Sequence, residues 1–275
     1  MKIPFYKFDG AGNDFVVIDN RDGSFRATEE EVAKICHRRF GVGADGLMSL
    51  ETPPDGYDFE MKYYNSDGRL GSMCGNGGRC IAAFAYLLGV GETTRPQDNE
   101  IAKKVKFHFE GYDGAHDAEV VMWDEKMHVG IVKLGMRNVP VKEVRRCLDG
   151  WFLDTGSPHY VQRVNNLEHF DVFGEGRRIR NIKTEFPEGT NVDFIEDLPD
   201  GRLFVRTYER GVEDETWACG TGVTACAIVT GNHDIVTRGG DFKVTFDATD
   251  THYKNVNLIG PVALNFIGEW TCSAQ

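Results

Sequence analysis

Two glycine-rich motifs, each led by a cysteine, are the residues in this sequence best suited to do chemistry. The first is CGNGGRC from Cys74, and the second is CGTGVTAC from Cys219. Their leading cysteines are 219 − 74 = 145 residues apart, and the segments that begin at Gly12 and Gly156 are 156 − 12 = 144 residues apart. Two pairs of segments separated by nearly the same number of residues indicate two copies of one structural unit, each with a thiol at the same point.

Each motif precedes a run of helix-forming residues, so each thiol is expected at a helix N-terminus. The free N–H groups and the dipole of such a terminus bind a carboxylate. They also lower the pKa of a nearby thiol, which is ordinarily about 8.5. Two thiols on opposite faces of one α-carbon could remove a proton from one side and deliver one to the other, while the N–H groups stabilise the charge that develops. This pattern predicts stereochemical inversion at a carbon acid by Cys74 and Cys219.

The other five cysteines are predicted to be structural. Cys80 and Cys226 fall among apolar residues inside the predicted helices, whereas Cys36, Cys147 and Cys272 belong to no repeated motif. An odd total of seven cysteines is not typical of a secreted disulfide framework. The spacings within the motifs also differ from the usual zinc pattern. We therefore expect reduced thiols and no bound metal.

Helices are predicted where capping residues and apolar periodicity coincide. The segment TEEE from Thr28 is a capping box that opens a helix. After the first motif, apolar residues recur at helical spacing as far as Leu88, and Gly89 predicts the end. After the second motif, small and apolar residues continue to Val229, and Gly231 predicts the stop.

Short segments rich in β-branched and aromatic residues predict strands. One such segment precedes each cysteine motif, and the hairpin-length spacing of several others favours antiparallel pairing. The two halves are expected to join between residues 134 and 150. The predicted strands are 59–64, 105–109, 119–122, 128–132, 203–208 and 243–246.

Composition excludes several classes of function. The 275 residues carry a net charge of 31 − 43 = −12, and basic residues form no patch, so nucleic acid is not expected as a partner. The longest apolar stretch, residues 81–90, is too short to span a bilayer. The N-terminal residues lack the apolar core of a signal peptide. We therefore predict a soluble cytoplasmic protein that does not bind membranes.

Seven motifs occur in order along nearly the whole chain. They are GAGNDF from Gly10, NSDG from Asn65, CGNG from Cys74, GSPH from Gly156, GTNV from Gly189, YERG from Tyr208 and ACGTG from Ala218. Together these motifs resemble the diaminopimelate epimerase family. The resemblance implies a cofactor-independent isomerase that interconverts LL- and meso-diaminopimelate, on the bacterial route to lysine and to cell-wall cross-links. It also implies a small-molecule substrate and a homodimer.

The same resemblance implies an α+β fold of two structurally similar domains. Each would be a mostly antiparallel sheet wrapped round a central helix, and a pseudo-twofold axis would relate the two. We predict one domain from residues 1–132 together with the C-terminal tail 262–275. Residues 133–261 form the other predicted domain.

Carried over residue by residue, the resemblance also implies roles in the site. In the LL-to-meso direction, Cys219 accepts the proton and Cys74 donates one. The remaining residues hold the substrate or set the pKa of the thiols. Backbone groups of Gly75, Asn76, Gly220 and Thr221 hold the reacting carboxylate, side chains of Asn13, Asn65, Asn191, Glu209 and Arg210 bind the amines and the distal carboxylate, and His159 and Glu209 modulate the thiol pKa values.

Two positions depart from the family pattern. Many members have Asn where this chain has Ser157, and some have Gln where it has Gly46. A hydroxyl is shorter than an amide, and glycine offers no side-chain contact. Both departures concern substrate contacts, with Ser157 reaching a ligand only through water, and they leave the thiol chemistry unchanged.

Three other functions are weighed against this one. A proline racemase-like enzyme would use the same cysteine pair, but proline has no distal amine and carboxylate for Glu209 and Arg210 to bind. A thiol redox protein would require a resolving cysteine close in sequence, as in Cys-x-x-Cys, and that spacing does not occur. A non-catalytic binding module would not require two matched thiols.

Overall fold

The computed structural model describes residues 2–26, 28–71, 74–91 and 105–272. The chain divides into two compact units, which we number in chain order. Unit 1 comprises Met1–Leu134 with Pro261–Gln275, and unit 2 comprises Gly135–Gly260. Within the described ranges, no helix combines the length and the apolar character needed to cross a membrane.

The described residues of unit 1 combine strands with two helices. The predicted cap of the first helix is confirmed, because the Thr28 hydroxyl accepts a hydrogen bond of 3.2 Å from the Glu31 amide. The helix that follows buries Val32, Ile35 and Cys36, as predicted. The elements of unit 1 are β1 (Lys2–Gly10), β2 (Asn13–Asp19), α1 (Glu29–Cys36), β3 (Gly46–Glu51), β4 (Phe59–Asn65), α2 (Gly75–Leu87), β5 (Val105–Gly111), β6 (Gly114–Asp124) and β7 (Val129–Gly135).

Unit 2 follows a similar succession of strands and helices, with additional short strands at Val139–Pro140, Arg145–Cys147 and Asp214–Thr216. The predicted stop of its second helix is confirmed, since Gly231 caps that helix with a positive φ of 74°. The final strand continues past Gly260 and contributes its last residues to unit 1. The elements of unit 2 are β8 (Val139–Pro140), β9 (Arg145–Cys147), β10 (Gly150–Asp154), β11 (Pro158–Arg163), α3 (Val172–Arg180), β12 (Asn191–Asp197), β13 (Leu203–Glu209), β14 (Asp214–Thr216), α4 (Gly220–Thr230), β15 (Asp234–Val236), β16 (Asp241–Ala248) and β17 (His252–Thr271).

Strand pairing repeats between the units. In unit 1, β1–β2 and β3–β4 are antiparallel, and β2–β3 and β4–β5 are parallel. In unit 2, β10–β11 and β12–β13 are antiparallel, and β11–β12 and β13–β15 are parallel. The parallel pairs are possible because a helix connects their strands, as a parallel connection requires. The expected antiparallel hairpins β5–β6 and β6–β7 are confirmed.

One helix in each unit packs against most of that unit's strands. Helix α2 lies against β1 to β4 and β6, and α4 lies against β10 to β13, β15 and β16. Both are buried over most of their length, with every residue from Gly75 to Tyr86 and from Val223 to Ile228 buried. The prediction that Leu88 belongs to α2 is wrong by one residue, because Leu88 is the half-buried C-cap. The described residues thus form an α+β fold in which strands outnumber helices.

Candidate active site

The Cys74 thiol lies at the N-terminus of α2. Cys74 is the N-cap residue, and its Sγ accepts a hydrogen bond of 3.1 Å from the Gly77 amide. A β-carbon at Gly77 would fall 3.3 Å from this sulfur and 3.1 Å from Met48 Sδ, so a larger residue would crowd the cap. The predicted placement of this thiol at a helix terminus is therefore observed.

The predicted substrate-binding residue Asn13 lies beside this thiol. Its Oδ1 accepts from Asn76 Nδ2 at 3.5 Å and lies 4.0 Å from Cys74 Sγ. Its Nδ2 donates to Asp45 Oδ2 at 2.5 Å. Because a carboxylate only accepts hydrogen bonds, Asp45 fixes the orientation of the Asn13 amide and turns its oxygen toward the thiol.

A buried arginine lies beneath the same helix terminus and was not anticipated from the sequence. The Arg79 guanidinium is fully buried and donates 3.0 Å hydrogen bonds to the Gly75 carbonyl and to Asn76 Oδ1. Burial lowers the pKa of Arg79 to about 10, so it remains a cation at neutral pH. It therefore adds positive charge to a site predicted to hold a carboxylate. The available signal was a charged residue inside a glycine-rich, apolar helix.

A network of charges supports Asn13 from the side away from the thiol. Arg38 donates to Asp14 and to Asp45 at 2.6 Å, and Lys7 donates to Asp14 at 2.6 Å. Lys7, which is buried, also donates to the Gly43 carbonyl. Burial opposes ionisation of Asp14, but the hydrogen bonds from Arg38 and Lys7 outweigh it and lower the pKa of Asp14 to about 2.

The Cys219 thiol lies at the N-terminus of α4, where Cys219 is the N-cap residue. Its Sγ is 3.3 Å from Thr221 Oγ1. Burial raises the pKa of the Cys219 thiol well above its ordinary value, and the carboxylates of Glu209 and Asp193 raise it further. Hydrogen bonding with the Thr221 hydroxyl and with the Gly222 amide opposes these effects without offsetting them. The prediction that the helix terminus lowers the pKa is therefore wrong for Cys219, because desolvation is the larger effect.

His159 lies one hydroxyl group away from Cys219. Its Nε2 is 2.9 Å from Thr221 Oγ1, and its Nδ1 is 2.7 Å from Asp193 Oδ2. The other Asp193 oxygen accepts from Thr207 Oγ1 at 2.7 Å. The side chains of His159 and Asp193 are fully buried. Sequence reasoning identified His159 but missed Asp193, whose signal was a carboxylate between the apolar residues Val192 and Phe194.

Ser157 and Asn191 complete the polar cluster around His159. Ser157 Oγ lies 3.1 Å from both His159 Nε2 and Thr221 Oγ1. Asn191 Nδ2 donates to Ser157 Oγ at 3.2 Å and to the Pro158 carbonyl at 3.0 Å, while its Oδ1 accepts from the Arg210 amide at 2.8 Å. Both predicted residues therefore make hydrogen bonds within unit 2.

Glu209 and Arg210 lie where β13 ends. Glu209 Oε2 accepts from Thr216 Oγ1 at 2.9 Å. The half-buried Arg210 guanidinium donates to the Glu188 carbonyl at 3.4 Å. No carboxylate of the described residues lies within ion-pair distance of Arg210, so this cation has capacity to bind an anionic ligand.

In unit 1, Asn65 and Gly46 lie on paired strands. Asn65 is exposed at the end of β4, and its Nδ2 donates weakly to the Arg69 carbonyl at 3.4 Å. A β-carbon at Gly46 would fall 2.6 Å from Tyr63 Cε2 and 2.9 Å from the Tyr63 hydroxyl. The Tyr63 ring therefore fills the space into which a side chain at position 46 would extend.

All seven cysteines are free thiols, and the predicted structural ones differ in burial. Cys80 and Cys226 are completely buried, and this burial raises the pKa of each thiol well above its ordinary range. Burial also raises the pKa of Cys36 to about 12. Across residues 2–26, 28–71, 74–91 and 105–272, no three His, Cys, Asp or Glu side chains cluster as metal ligands would.

Solved structures define the class of this fold. A probable proline racemase from Agrobacterium radiobacter covers 98% of the chain with a TM-score of 0.74 and 14% sequence identity, with 93% of its own length matched. A PhzF-family phenazine biosynthesis protein from Bacillus anthracis covers 99% of the chain with a TM-score of 0.68 and 14% identity, over 100% of its length. The fold is thus that of the proline racemase and PhzF-like proteins.

Sequence relatives define the family within this class. The diaminopimelate epimerase family model matches residues 5–109 and 151–258. The diaminopimelate epimerase of Chlorobaculum tepidum is 46% identical over 80% of each chain, and that of Flavobacterium psychrophilum is 42% identical over 95% of this chain and 97% of its own. This chain belongs to the diaminopimelate epimerase family.

Proposed function

We propose that this protein interconverts LL- and meso-diaminopimelate by exchanging the proton on one α-carbon, with Cys74 and Cys219 as the two acid–base groups. The observation that carries the proposal is that each motif thiol caps a helix N-terminus, in a chain that belongs to the diaminopimelate epimerase family. A single fixed base would return the proton to the face it left, whereas two thiols allow inversion.

The reacting carboxylate would bind the backbone N–H groups at the two helix termini. Those groups belong to Gly75 and Asn76 in unit 1 and to Gly220 and Thr221 in unit 2. In the LL-to-meso direction, Cys219 Sγ removes the α-proton and Cys74 supplies another from the opposite face. Negative charge then moves onto the carboxylate, where the N–H groups stabilise it. The buried cation of Arg79 supports this assignment, since it lies directly beneath the first terminus.

The distal amine and carboxylate of the substrate would contact a second set of groups. The Arg210 guanidinium donates one hydrogen bond to a backbone carbonyl, and its other N–H groups support a bidentate contact with the distal carboxylate. The Asp45-fixed amide of Asn13 supports a contact beside the Cys74 thiol. His159 and Glu209 would modulate the pKa of the thiols. The proposed distal contacts are Asn13, Asn65, Asn191, Glu209 and Arg210, with Ser157 adding a contact through water.

The proposal extends to the organisation of the protein. Residues 1–132 with 262–275 form one domain and residues 133–261 form the other, as a pseudo-twofold pair with one thiol each. The repeated order of strand pairing supports this division. The enzyme would act as a cytoplasmic homodimer on a small-molecule substrate and without a cofactor.

A conversion assay tests the proposed reaction. The purified protein, treated with a chelator and given no cofactor, is incubated with LL-diaminopimelate, and the meso isomer is measured by chiral chromatography. L-Proline serves as the control substrate, because a proline racemase-like enzyme would convert it instead. We expect conversion of diaminopimelate alone. Racemisation of proline without conversion of diaminopimelate would overturn the substrate assignment, and activity that requires added metal would overturn the mechanism.

A further inference from the structure

A continuous hydrogen-bonded chain runs through unit 2 from the Cys219 sulfur to a buried carboxylate. Its links are Cys219 Sγ to Thr221 Oγ1 at 3.3 Å, Thr221 Oγ1 to His159 Nε2 at 2.9 Å, and His159 Nδ1 to Asp193 Oδ2 at 2.7 Å. His159 and Asp193 have no exposed side-chain surface, so water does not interrupt the chain at its inner end. The thiol is therefore connected to a proton acceptor by one hydroxyl group.

The direction of each hydrogen bond follows from the donors and acceptors. The Asp193 carboxylate accepts from His159 Nδ1–H, and this leaves Nε2 of the neutral imidazole as an acceptor. Thr221 can then donate its hydroxyl proton to Nε2 while it accepts from the Cys219 S–H group. Asp193 is itself held in place, because its second oxygen accepts from Thr207. With this arrangement of donors and acceptors, every link from the sulfur to the imidazole points the same way.

Unit 1 has no counterpart of this chain at the corresponding positions. Its strands pair Val17 with Met48 and Met48 with Tyr63, where unit 2 pairs Val161 with Asp193 and Asp193 with Thr207. Two residues earlier on β2, Phe15 takes the place that His159 has on β11. The helix glycines reflect the same difference.

A β-carbon at Gly77 would meet the Met48 sulfur at 3.1 Å. A β-carbon at Gly222 would collide with the Asp193 carboxylate and lie 3.2 Å from His159 Cε1. Phe15 and Met48 carry no exchangeable proton, so the surroundings of the two thiols are not equivalent.

We infer that Thr221 relays a proton between Cys219 and His159, and that Asp193 is the positioning residue that fixes the tautomer of His159. The S–H proton moves to Thr221 Oγ as the Thr221 hydroxyl proton moves to His159 Nε2. The products are a Cys219 thiolate, an unchanged hydroxyl group, and an imidazolium paired with the Asp193 carboxylate. Atoms and charge balance without another reactant. The relay rests on the proposed function only in assigning this thiolate the role of base.

The relay answers a difficulty created by the surroundings of Cys219. Burial, Glu209 and Asp193 all raise the pKa of this thiol, and the buried thiol of Cys226 on the same helix supplies no cation. His159, which is joined to Cys219 through the Thr221 hydroxyl, becomes positively charged when it accepts a proton. A proton passed to His159 leaves a thiolate beside a cation, which is favourable in a site shielded from water.

Alkylation of Cys219 in the absence of substrate tests the relay separately from the epimerase reaction. The Cys74→Ala protein is treated with iodoacetamide over a range of pH, and mass spectrometry follows modification of the Cys219 peptide. We expect Thr221→Val to lower the alkylation rate at neutral pH by about 100-fold or more, because one proton-transfer contribution is about 10²–10⁴-fold. Thr221→Ser should restore the rate, because serine keeps the hydroxyl.

Thr224→Val is the matched control. Thr224 is also buried on α4, and its hydroxyl donates to the Gly220 carbonyl rather than to the chain. We expect this variant to keep the parent alkylation rate. Asp193→Asn should shift the alkylation profile to higher pH, since an amide stabilises the imidazolium less than a carboxylate does. An unchanged rate in Thr221→Val, or an equal loss in Thr224→Val, would overturn the relay even if the protein proves to be an epimerase.

Discussion

The Asn13 amide and the Asp45 carboxylate are joined by a 2.5 Å hydrogen bond, and this contact turns the Asn13 oxygen toward Cys74. Asn13 therefore owes its orientation to a residue on a neighbouring loop that is also paired with Arg38. An amide in a site can rotate by half a turn at little cost unless such a partner fixes it. Asp45 thus affects the candidate active site through Asn13, whose amide it orients.

Replacing Asp45 with alanine should weaken substrate binding. Loss of a hydrogen bond to a charged group costs about 1.5–3 kcal/mol, so we expect KM to rise by about 10-fold or more with a smaller change in kcat. Steady-state kinetics with LL-diaminopimelate measure both constants. Asp55→Ala, at an exposed turn, is the control. Equal KM values for the two variants would show that Asp45 does not orient Asn13.

The two thiols should have separable roles. Cys74→Ala and Cys219→Ala should each abolish epimerisation, because each removes one of the two proton-transfer groups. In deuterated water, Cys74→Ala should exchange the α-hydrogen of the LL isomer through Cys219, and Cys219→Ala should exchange that of the meso isomer. Mass spectrometry of recovered substrate measures this exchange. Epimerisation by either single variant at the parent rate would contradict the pairing of Cys74 with Cys219.

Arg210→Lys should remove most activity. An ammonium group cannot reproduce the bidentate contact of a guanidinium with a carboxylate. We expect kcat/KM to fall by about 30-fold or more, equivalent to roughly 2 kcal/mol. Arg202→Lys, which alters a surface pair with Asp200 and Asp241, is the control. Kinetics like those of this control would assign Arg210 a structural role.

Acid should weaken the charge network around Asp14. The pKa of Asp14 is lowered to about 2 in the folded protein from an unfolded value of 3.8, so ionised Asp14 stabilises the fold above about pH 4. This contribution, roughly 2 kcal/mol, is lost as the pH falls through the folded pKa.

Urea denaturation of the parent protein and Asp14→Asn, at neutral pH and again near pH 2, measures the difference in the free energy of unfolding. We expect a large difference at neutral pH and a much smaller one in acid. A difference of the same size at both pH values would mean that the charge of Asp14 contributes nothing.

Sequence patterns predicted α1, α2, α4 and several strands because local signals define them, but they did not predict α3. The Thr28 cap, the Gly231 stop and the strand before each cysteine motif all occur where apolar periodicity and turn residues place them. The parallel pairing of β2 with β3 was not predicted, because register between distant strands depends on packing rather than on local sequence. Seven motifs in order identified the family.

The surroundings of the thiols were harder to predict. Folding brings Asp193 to Cys219 from a distant part of the chain, and Arg79, although it lies within the first cysteine motif, is buried only by the packing of the whole unit, so the effects of both residues could not be counted from sequence. The helix dipole at Cys219 was visible in the sequence, but the extent of its burial was not. Burial is a property of the whole fold, and here it reverses the expected direction of the pKa shift.

Strand β17 also determines the order in which the protein can fold during synthesis. Its residues from Ala263 to Thr271 pair with β1, which carries Lys2 to Asp9. The ribosome synthesises β1 before unit 2, but it releases this partner segment of β17 only after all of unit 2 has been synthesised. Unit 2 can therefore close first, and β1 must wait for β17, a pairing with very high contact order. The N-terminal half of this chain is completed last, so a nascent chain stalled within unit 2 exposes an unpaired strand edge to aggregation.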